Sequence, residues 1–413
     1  MRHIINHQVV LSQAPVGPLA TWLGRFADAA SRQGYTRSSI CRRIRLAAGF
    51  SRWLGQEGIS LSRINSDHPA QYLRYRTRRV RLHHGDGAAL RHLINFLRVE
   101  AVIPAETIPA GRATEAERCV LAYEQYLSEA RGLATATILN YAPFARAFVQ
   151  YRFGAGQVTL SCLRAGDVVE FVQHEAPRMN RKRAKLMTTA LRSFLRYMRY
   201  LDEGMPDLVA AVPVVANWSM DTVPRAISAN QVHRLLASID RTTTVGCRDY
   251  AILLLLARLG LRLSEVAYLE LDDIDWRTAT LNVRIKGGMR NDFPLSHEVG
   301  EAIAHYLRHG RPSSHSRRVF LRVRAPIGGF RGPSGVGSVI RHTLERAGID
   351  APTRGTHQFR HGLSTEMMRQ GASLGEIGDV LGHRHPDTTR IYARVDLGAL
   401  RPLALPWPSG RAR

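Results

Sequence analysis

The chain has 413 residues, enough for two or three domains with cores of their own, and its 45% hydrophobic content is that of an ordinary soluble globular protein. A formal net charge of +24 calls for a large polyanionic partner. No secretory signal or bilayer-spanning run is legible, and Cys41, Cys119, Cys162 and Cys247 lack the spacing of a zinc site or disulfide framework; the expectation is a cytoplasmic protein that meets nucleic acid, not membrane.

Helical periodicity runs from Pro18 to Val102 and predicts a core of Trp22, Phe26, Ile40, Ile44, Phe50 and Trp53. Residues 103–113 hold two prolines and a glycine and read as a linker. A second helical block follows from Thr114 to Glu203. The two blocks parallel each other at a spacing near a hundred residues: Gly34 to Ile40 matches Gly132 to Ile138, Phe50 and Trp53 match Phe148 and Tyr151, and Leu90 to Arg98 matches Leu191 to Arg199. This favours duplication of a small helical domain. Arg37, Arg42 and Arg43 in the first block, and the run Arg74 to Arg81, are expected to lie along DNA, with a protein-contact face as the alternative. Arg181, Lys182, Arg183 and Lys185 are the candidate DNA contacts of the second block.

Gly204 to Arg225, with three prolines and little amphipathic order, reads as an interdomain linker that lets two domains close around a duplex. Ser228 then caps a helix, and Asp249 to Arg258 is a buried helix by its continuous apolar run. Ala279 to Ile285 and Arg290 to Leu295 alternate like strands around the Gly287-Gly288 turn. After Pro352 the pattern is helical, broken by Gly371, Gly382 and Pro386.

This last third carries a concentrated set of polar residues. His357 and Arg360 lie in Thr356-His-Gln-Phe-Arg-His-Gly362, and His383 and Tyr392 in Leu381-Gly-His-Arg-His-Pro-Asp-Thr-Thr-Arg-Ile-Tyr392. Upstream stand Arg262 in Leu259-Gly-Leu-Arg-Leu-Ser-Glu265 and Lys286 in Ile285-Lys-Gly-Gly288. Guanidinium forks, imidazoles and an ammonium can hold a phosphodiester by its non-bridging oxygens while a phenol attacks phosphorus. Arg262 and Arg360 read as the phosphate clamp. Glu265, three residues after Arg262, can orient it by a salt bridge. His357 and His383 suit a general base and a phosphate donor, respectively, because imidazole titrates near neutrality. His361 reads as a structural support for the turn that carries Arg360. Metal binding by His357 and His361 is disfavoured, since Gln358 stands where a zincin helix has glutamate. The only lysines are Lys182, Lys185 and Lys286. An ammonium can give a proton to a leaving oxygen and a guanidinium cannot, so Lys286 reads as the proton donor.

These motifs resemble the catalytic half of the tyrosine recombinases, the phage-integrase family, from Ser228 to Val395, with all six family positions in family order. The resemblance implies a mainly α chain with a small β-sheet in a mixed α+β catalytic domain. It divides the chain into an additional N-terminal helical domain (1–110), a helical core-binding domain (111–204), a linker (205–227), the catalytic domain (228–396) and a tail (397–413). It further implies site-specific breakage and rejoining of double-stranded DNA through a 3′-phosphotyrosyl link to Tyr392, without metal or nucleotide cofactor. A phage or mobile-element setting, a homotetramer on two DNA sites, accessory DNA-bending proteins or other recombinases as partners, and a bacterial nucleoid location are expected with it. The alternatives are a DNA relaxation enzyme of the type IB topoisomerase kind, or a DNA-binding regulator with a decayed site. The segment after Tyr392 carries Leu397, Leu400, Leu403, Leu405 and Trp407. It is expected to dock into an apolar groove, on its own protomer or, as the resemblance implies, on a neighbouring one.

Overall fold

Apolar side chains recur every three to four positions through the first hundred residues, and in the computed structural model each such run is a helix. The structure describes residues 3–392, apart from 6–8, 12–13, 105–113, 155, 160–161, 203, 216–224, 286–288, 354, 383–385 and 390–391. It divides into two units, Met1–Ile103 with Thr222–Arg413, and Pro104–Asp221.

The first unit begins with an antiparallel pair, β1 (His3–Ile5) and β2 (Val9–Leu11). Helices α1 (Leu23–Arg32), α2 (Arg37–Gln56), α3 (His68–Thr77) and α4 (Asp86–Val99) follow. Thr36 caps α2, its hydroxyl accepting from the Ser39 N–H. Phe26, Ile40, Ile44, Phe50 and Trp53 are buried with Leu90, Leu93 and Leu97, and Trp22 packs partly buried against them. Each fully buried side chain of this size contributes roughly 1.5–3 kcal/mol. Between α1 and α2 the chain meets the C-terminal part of its own unit. The Gln33 carbonyl accepts from the Ile327 N–H at 2.8 Å, and a Cβ on Gly34 (φ +79°) would sit 2.4 Å from Ile327 Cδ1. Glycine is required there twice over, by the left-handed backbone and by the close approach.

The second unit holds α5 (Glu115–Glu129), α6 (Thr135–Phe153), α7 (Ala165–Glu175) and α8 (Arg181–Leu201). A reciprocal capping box starts α5: Thr114 Oγ1 accepts from Glu117 N at 3.2 Å, and Glu117 Oε2 accepts from Thr114 N at 2.9 Å. Tyr123 and Phe148 set the core, edge-on to Phe194 and Phe171 with ring centroids 5.0 and 5.3 Å apart. The parallel between the two helical blocks is closest at the buried positions. Phe50 and Phe148 are both buried, but Trp53 is buried where Tyr151 is 43% exposed. Met205, Leu208 and Val212, in the stretch that sequence reads as linker, are buried in this core, and Arg192 donates to the carbonyls of Val212 and Pro213. They pack from an irregular segment of turns and bends, so no periodic pattern marks them in the sequence.

After α9 (Ala229–Ala237) comes α10 (Thr244–Leu259), whose residues Ala251 to Leu256 have no exposed surface. Around this central rod, α11 (Leu263–Ala267) leads to an antiparallel sheet of β3 (Ile274–Asp275), β4 (Thr280–Arg284) and β5 (Arg290–Pro294), in that order. The β4–β5 register runs from Thr280 opposite Pro294 to Arg284 opposite Arg290. The two predicted strands are there; β3 is too short to leave a pattern in sequence. Helices α12 (His297–His305), α13 (Ser334–Arg346), α14 (His357–Arg369), α15 (Leu374–Leu381) and α16 (Pro386–Thr389) complete the unit, and α9, α12, α13 and α14 all pack on α10. Below them lies a buried ion pair, Arg248 to Asp249 at 2.7 Å, with Arg248 Nη1 also donating to the Leu321 carbonyl. Among the described residues no helix is long and apolar enough to cross a membrane.

Candidate active site

Gly260 ends α10 in the left-handed conformation (φ +60°), and a Cβ there would meet Leu363 and Leu381 side chains at 3.0 and 3.1 Å. That tight exit delivers Arg262 to the N-cap of α11. Glu265, buried in the first turn of α11, accepts from the Arg262 backbone N–H at 2.6 Å and from its Nη1 at 2.7 Å. The carboxylate thereby fixes both ends of the arginine.

Arg360 comes from the first turn of α14 and is 5% exposed. Its Nη1 donates to the Gly260 carbonyl at 2.9 Å and its Nη2 to the Leu381 carbonyl, at the C-terminal ends of α10 and α15. Helix C-termini present unpaired carbonyls and partial negative charge, which suits a buried cation. Burial first, then the neighbouring Arg262, bring its pKa down to about 10, while Glu265 and Tyr392 pull the other way; the group stays charged at neutral pH. Two bonds use two of five guanidinium N–H donors. Arg262, Arg360 and the exposed His357 border one pocket of about 160 Å³, together with Ser264, Thr356 and Pro333. A cavity of about 150 Å³ admits a group the size of benzene, so a phosphodiester centre fits.

Tyr392 is 1% exposed and clusters with Ile377 and Leu381. Close packing brings the chain here: Thr389 of α16 sits against Gly378 of α15, where a Cβ would come within 3.2 Å of Thr389 Oγ1. The phenol oxygen is 3.1 Å from His361 Nδ1, with the rings edge-on at 5.5 Å. Burial pushes the phenol above its usual pKa of 10.0, against the pull of Ser364, Arg360 and Arg262. Burial, with His357 and Arg360 alongside, lowers His361 to about 4, so its imidazole is neutral at physiological pH.

Four of the six candidate catalytic residues are therefore gathered around α14. Lys286 and His383 lie outside the described residues; in sequence Lys286 falls between β4 and β5, and His383 follows Gly382, which ends α15 in the left-handed conformation. The bond from His361 to Tyr392 is new to the structure. Sequence gave His361 only a place beside Arg360, and the spacing of 31 residues carries no signal of contact with Tyr392. Of the candidate DNA contacts, Arg37 and Arg42 are exposed on α2, and Arg181, Lys182, Arg183 and Lys185 on the first turns of α8. Arg43 is turned inward instead. Its guanidinium lies 4.0 Å over the Tyr35 ring and donates to His92 Nδ1 at 3.2 Å, so its charge serves the domain's own packing. Among the described residues no three His, Cys, Asp or Glu side chains converge to hold a metal ion.

Residues 225–398 match the phage integrase family. Over 408 residues the chain is 56% identical to the integrase/recombinase y4rA of Sinorhizobium fredii, covering 99% of both chains. It is 30% identical to y4rF of the same organism, over 98% of this chain and 96% of that one. The tyrosine recombinase XerD of Listeria monocytogenes is 27% identical across 65% of this chain and 91% of its own. The fold is shared with the XerH site-specific recombinase bound to a palindromic difH substrate (TM-score 0.55, 17% identity, 69% of this chain and 83% of that one). It is shared too with a lambda integrase dimer bound to a COC′ core site (TM-score 0.52, 13% identity, 79% and 89%). The chain belongs to the phage integrase family. It is a tyrosine recombinase, an enzyme of DNA strand breakage and rejoining.

Glu265→Gln keeps the size of the side chain but removes the charge that holds Arg262 beside Arg360. Hydrogen bonds to charged groups contribute about 1.5–3 kcal/mol, so strand cleavage at saturating enzyme is expected to slow roughly 10- to 100-fold. Single-turnover kinetics with DNA binding measured in parallel checks this; an unchanged rate removes Glu265 from the positioning of the site.

Proposed function

We propose that this protein is a site-specific recombinase of a bacterial mobile element that cleaves double-stranded DNA by forming a 3′-phosphotyrosyl link to Tyr392. The observation that carries the assignment is the convergence on one helix. Arg262, His357 and Arg360 border a phosphate-sized pocket, and His361, on the same α14, bonds to the phenol of Tyr392.

In this mechanism Arg262 and Arg360 hold the non-bridging oxygens of the scissile phosphate, His357 at the mouth of the pocket is the general base, and His383 is a further phosphate donor. Donors already fixed by Glu265 and by two helix ends stabilise the charge that builds on the pentavalent phosphorus without reorganising. Loss of one such donor typically costs about 3–4 kcal/mol. The positive charge of both arginines also favours phenolate at Tyr392, against the burial that otherwise keeps the phenol protonated. One phosphodiester is exchanged for another, so rejoining needs no nucleotide. Lys286, at the turn between β4 and β5, protonates the departing 5′ oxygen. The exposed cations Arg181, Lys182, Arg183 and Lys185 crowd the first turns of α8, where the helix dipole disfavours them. Phosphates of a bound duplex offset that repulsion.

A nicked duplex recovered from a randomised pool by its covalent attachment to the wild-type protein supplies the substrate. With it, Tyr392→Phe is expected to bind as before and to form no adduct on a denaturing gel. A surviving adduct places the nucleophile elsewhere.

Lys286→Ala is expected to slow cleavage of this duplex far more than cleavage of the same duplex with sulfur at the 5′ bridging position. Sulfur leaves without needing a proton, so it bypasses a missing acid. Equal slowing on both rejects Lys286 as the donor.

The exchange of two duplexes calls for four protomers, joined by the segment after Val395. A groove of about 800 Å³ on the catalytic part, lined by Ile227, Val232, Leu236, Phe359 and Leu363 alongside charged residues such as Arg258 and Glu298, receives the leucines and Trp407 of a neighbour's tail. Truncation after Val395 and Val232→Asp should both leave one-site complexes intact on native gels and remove two-site complexes. Normal synapsis by the truncated chain excludes docking between protomers.

A further inference from the structure

We propose that Ile285 and Asn291 are positioning residues of the active site: from the end of the β4–β5 sheet they bear on Gly382 and hold the Leu381 carbonyl where it anchors Arg360. The inference rests on Arg360 being part of the phosphate clamp and adds what keeps that arginine in place.

Strand alternation brings the two side chains to one face. Leu281 and Val283 of β4 and Phe293 of β5 are buried in the catalytic core. Ile285 and Asn291, both half-buried, lie two residues beyond Val283 and two before Phe293, so they continue those rows to the end of the sheet. The Ile285 N–H donates to the Met289 carbonyl at 2.8 Å, which carries the ladder one pair past Arg284 and Arg290. Here the row meets Gly382. A Cβ on Gly382 would stand 3.7 Å from Ile285 Cδ1, 3.9 Å from Ile285 Cγ2 and 3.7 Å from Asn291 Nδ2, all at packing distance. An amide donor suits this place, because the last carbonyls of a helix have no partner within it.

The peptide between Leu381 and Gly382 gives that contact its consequence. Its N–H donates back to the Asp379 carbonyl at 3.0 Å, and its carbonyl accepts from Arg360 Nη2. A peptide unit is planar, so any tilt at Gly382 swings the Leu381 oxygen with it. The left-handed turn at φ +58° calls for glycine, yet a glycine brings no side chain to resist rotation. Ile285 and Asn291 supply the packing it lacks. Without them the acceptor turns away from a guanidinium that is 5% exposed, and the fork that grips phosphate turns with it.

The full chain is tested in single turnover on the covalently selected nicked duplex, with DNA binding followed alongside. Ile285→Ala and Asn291→Ala are each expected to slow adduct formation roughly 10- to 100-fold, the order of loss that a displacement of about 1 Å brings to a catalytic group. Ile285→Leu, which keeps the apolar bulk, is expected to stay near the wild-type rate. General loosening of the fold also slows the reaction, so the substrate is varied. Replacing one non-bridging oxygen of the scissile phosphate by methyl removes charge that the clamp holds, and on that duplex the loss is expected to shrink. With sulfur at the 5′ bridging position, which dispenses with the acid, the loss is expected to persist. In the unliganded alanine variants the Gly382 N–H is expected to exchange with solvent faster than in the wild type, a readout that needs no catalysis. Ile285→Val removes only the Cδ1 carbon and is expected to show the same pattern in smaller measure, which covers an Ile285→Ala chain too unstable to use. An equal loss on the phosphate and methyl duplexes, a loss abolished by bridging sulfur, or Gly382 exchange at the wild-type rate overturns the proposal. Arg360→Ala on the same duplexes reports on the clamp itself: if its own loss fails to shrink on the methyl duplex, the clamp reading falls and the proposal falls with it.

Discussion

The catalytic part of this protein is organised by one buried cation. Arg360 reaches from α14 to the carbonyl ends of two other helices, α10 through Gly260 and α15 through Leu381. Its charge meets partial negative charge at both ends, and that allows an arginine to lie 5% exposed with no carboxylate bonded directly to it among the described residues. Because α10 exits into Arg262 and α15 ends at Gly382, the guanidinium proposed to meet a phosphate also holds these two helix ends together. Catalytic geometry and tertiary packing are one constraint here. Gly260 and Gly382 serve that constraint, as both helices must stop abruptly in a left-handed residue for the carbonyls to face Arg360.

Around this clasp the charges are graded by depth. Glu265 is buried and offsets the repulsion between Arg262 and Arg360. Arg262 is half-buried, with 29% of its side chain accessible, and His357 is exposed at the mouth. In the proposed reaction a phosphate approaching from solvent thus meets His357 first, then Arg262, then the buried Arg360.

Much of this was legible in the chain. The helix and strand order of the catalytic part follows from periodicity, because α10 is apolar all round and β4 and β5 alternate about a Gly-Gly turn. Arg262, His357, Arg360 and Tyr392 stand out because polar residues in that order and context have few other uses. What sequence does not carry is direction. Arg43 looks like its neighbours Arg37 and Arg42, yet its place on α2 turns it onto Tyr35 and His92. His361 looks like a support for Arg360 because only its neighbours in sequence are visible, whereas its partner is brought in by the α14–α15–α16 turns. Met205, Leu208 and Val212 read as linker because they pack from irregular backbone that leaves no periodic signal.

The depth of Tyr392 bears on the integrity of the DNA itself. A phosphotyrosyl bond is open to water as well as to a strand end, and one hydrolytic event converts a reversible exchange into a lasting break. A phenol 1% exposed, set among Ile377 and Leu381 with an imidazole against its edge, leaves little room for a water molecule on the line of attack. The same burial that makes the phenol's proton hard to remove keeps the wrong nucleophile out. Under the role proposed for Tyr392, slow activation and protection from water are then two effects of a single wall of side chains.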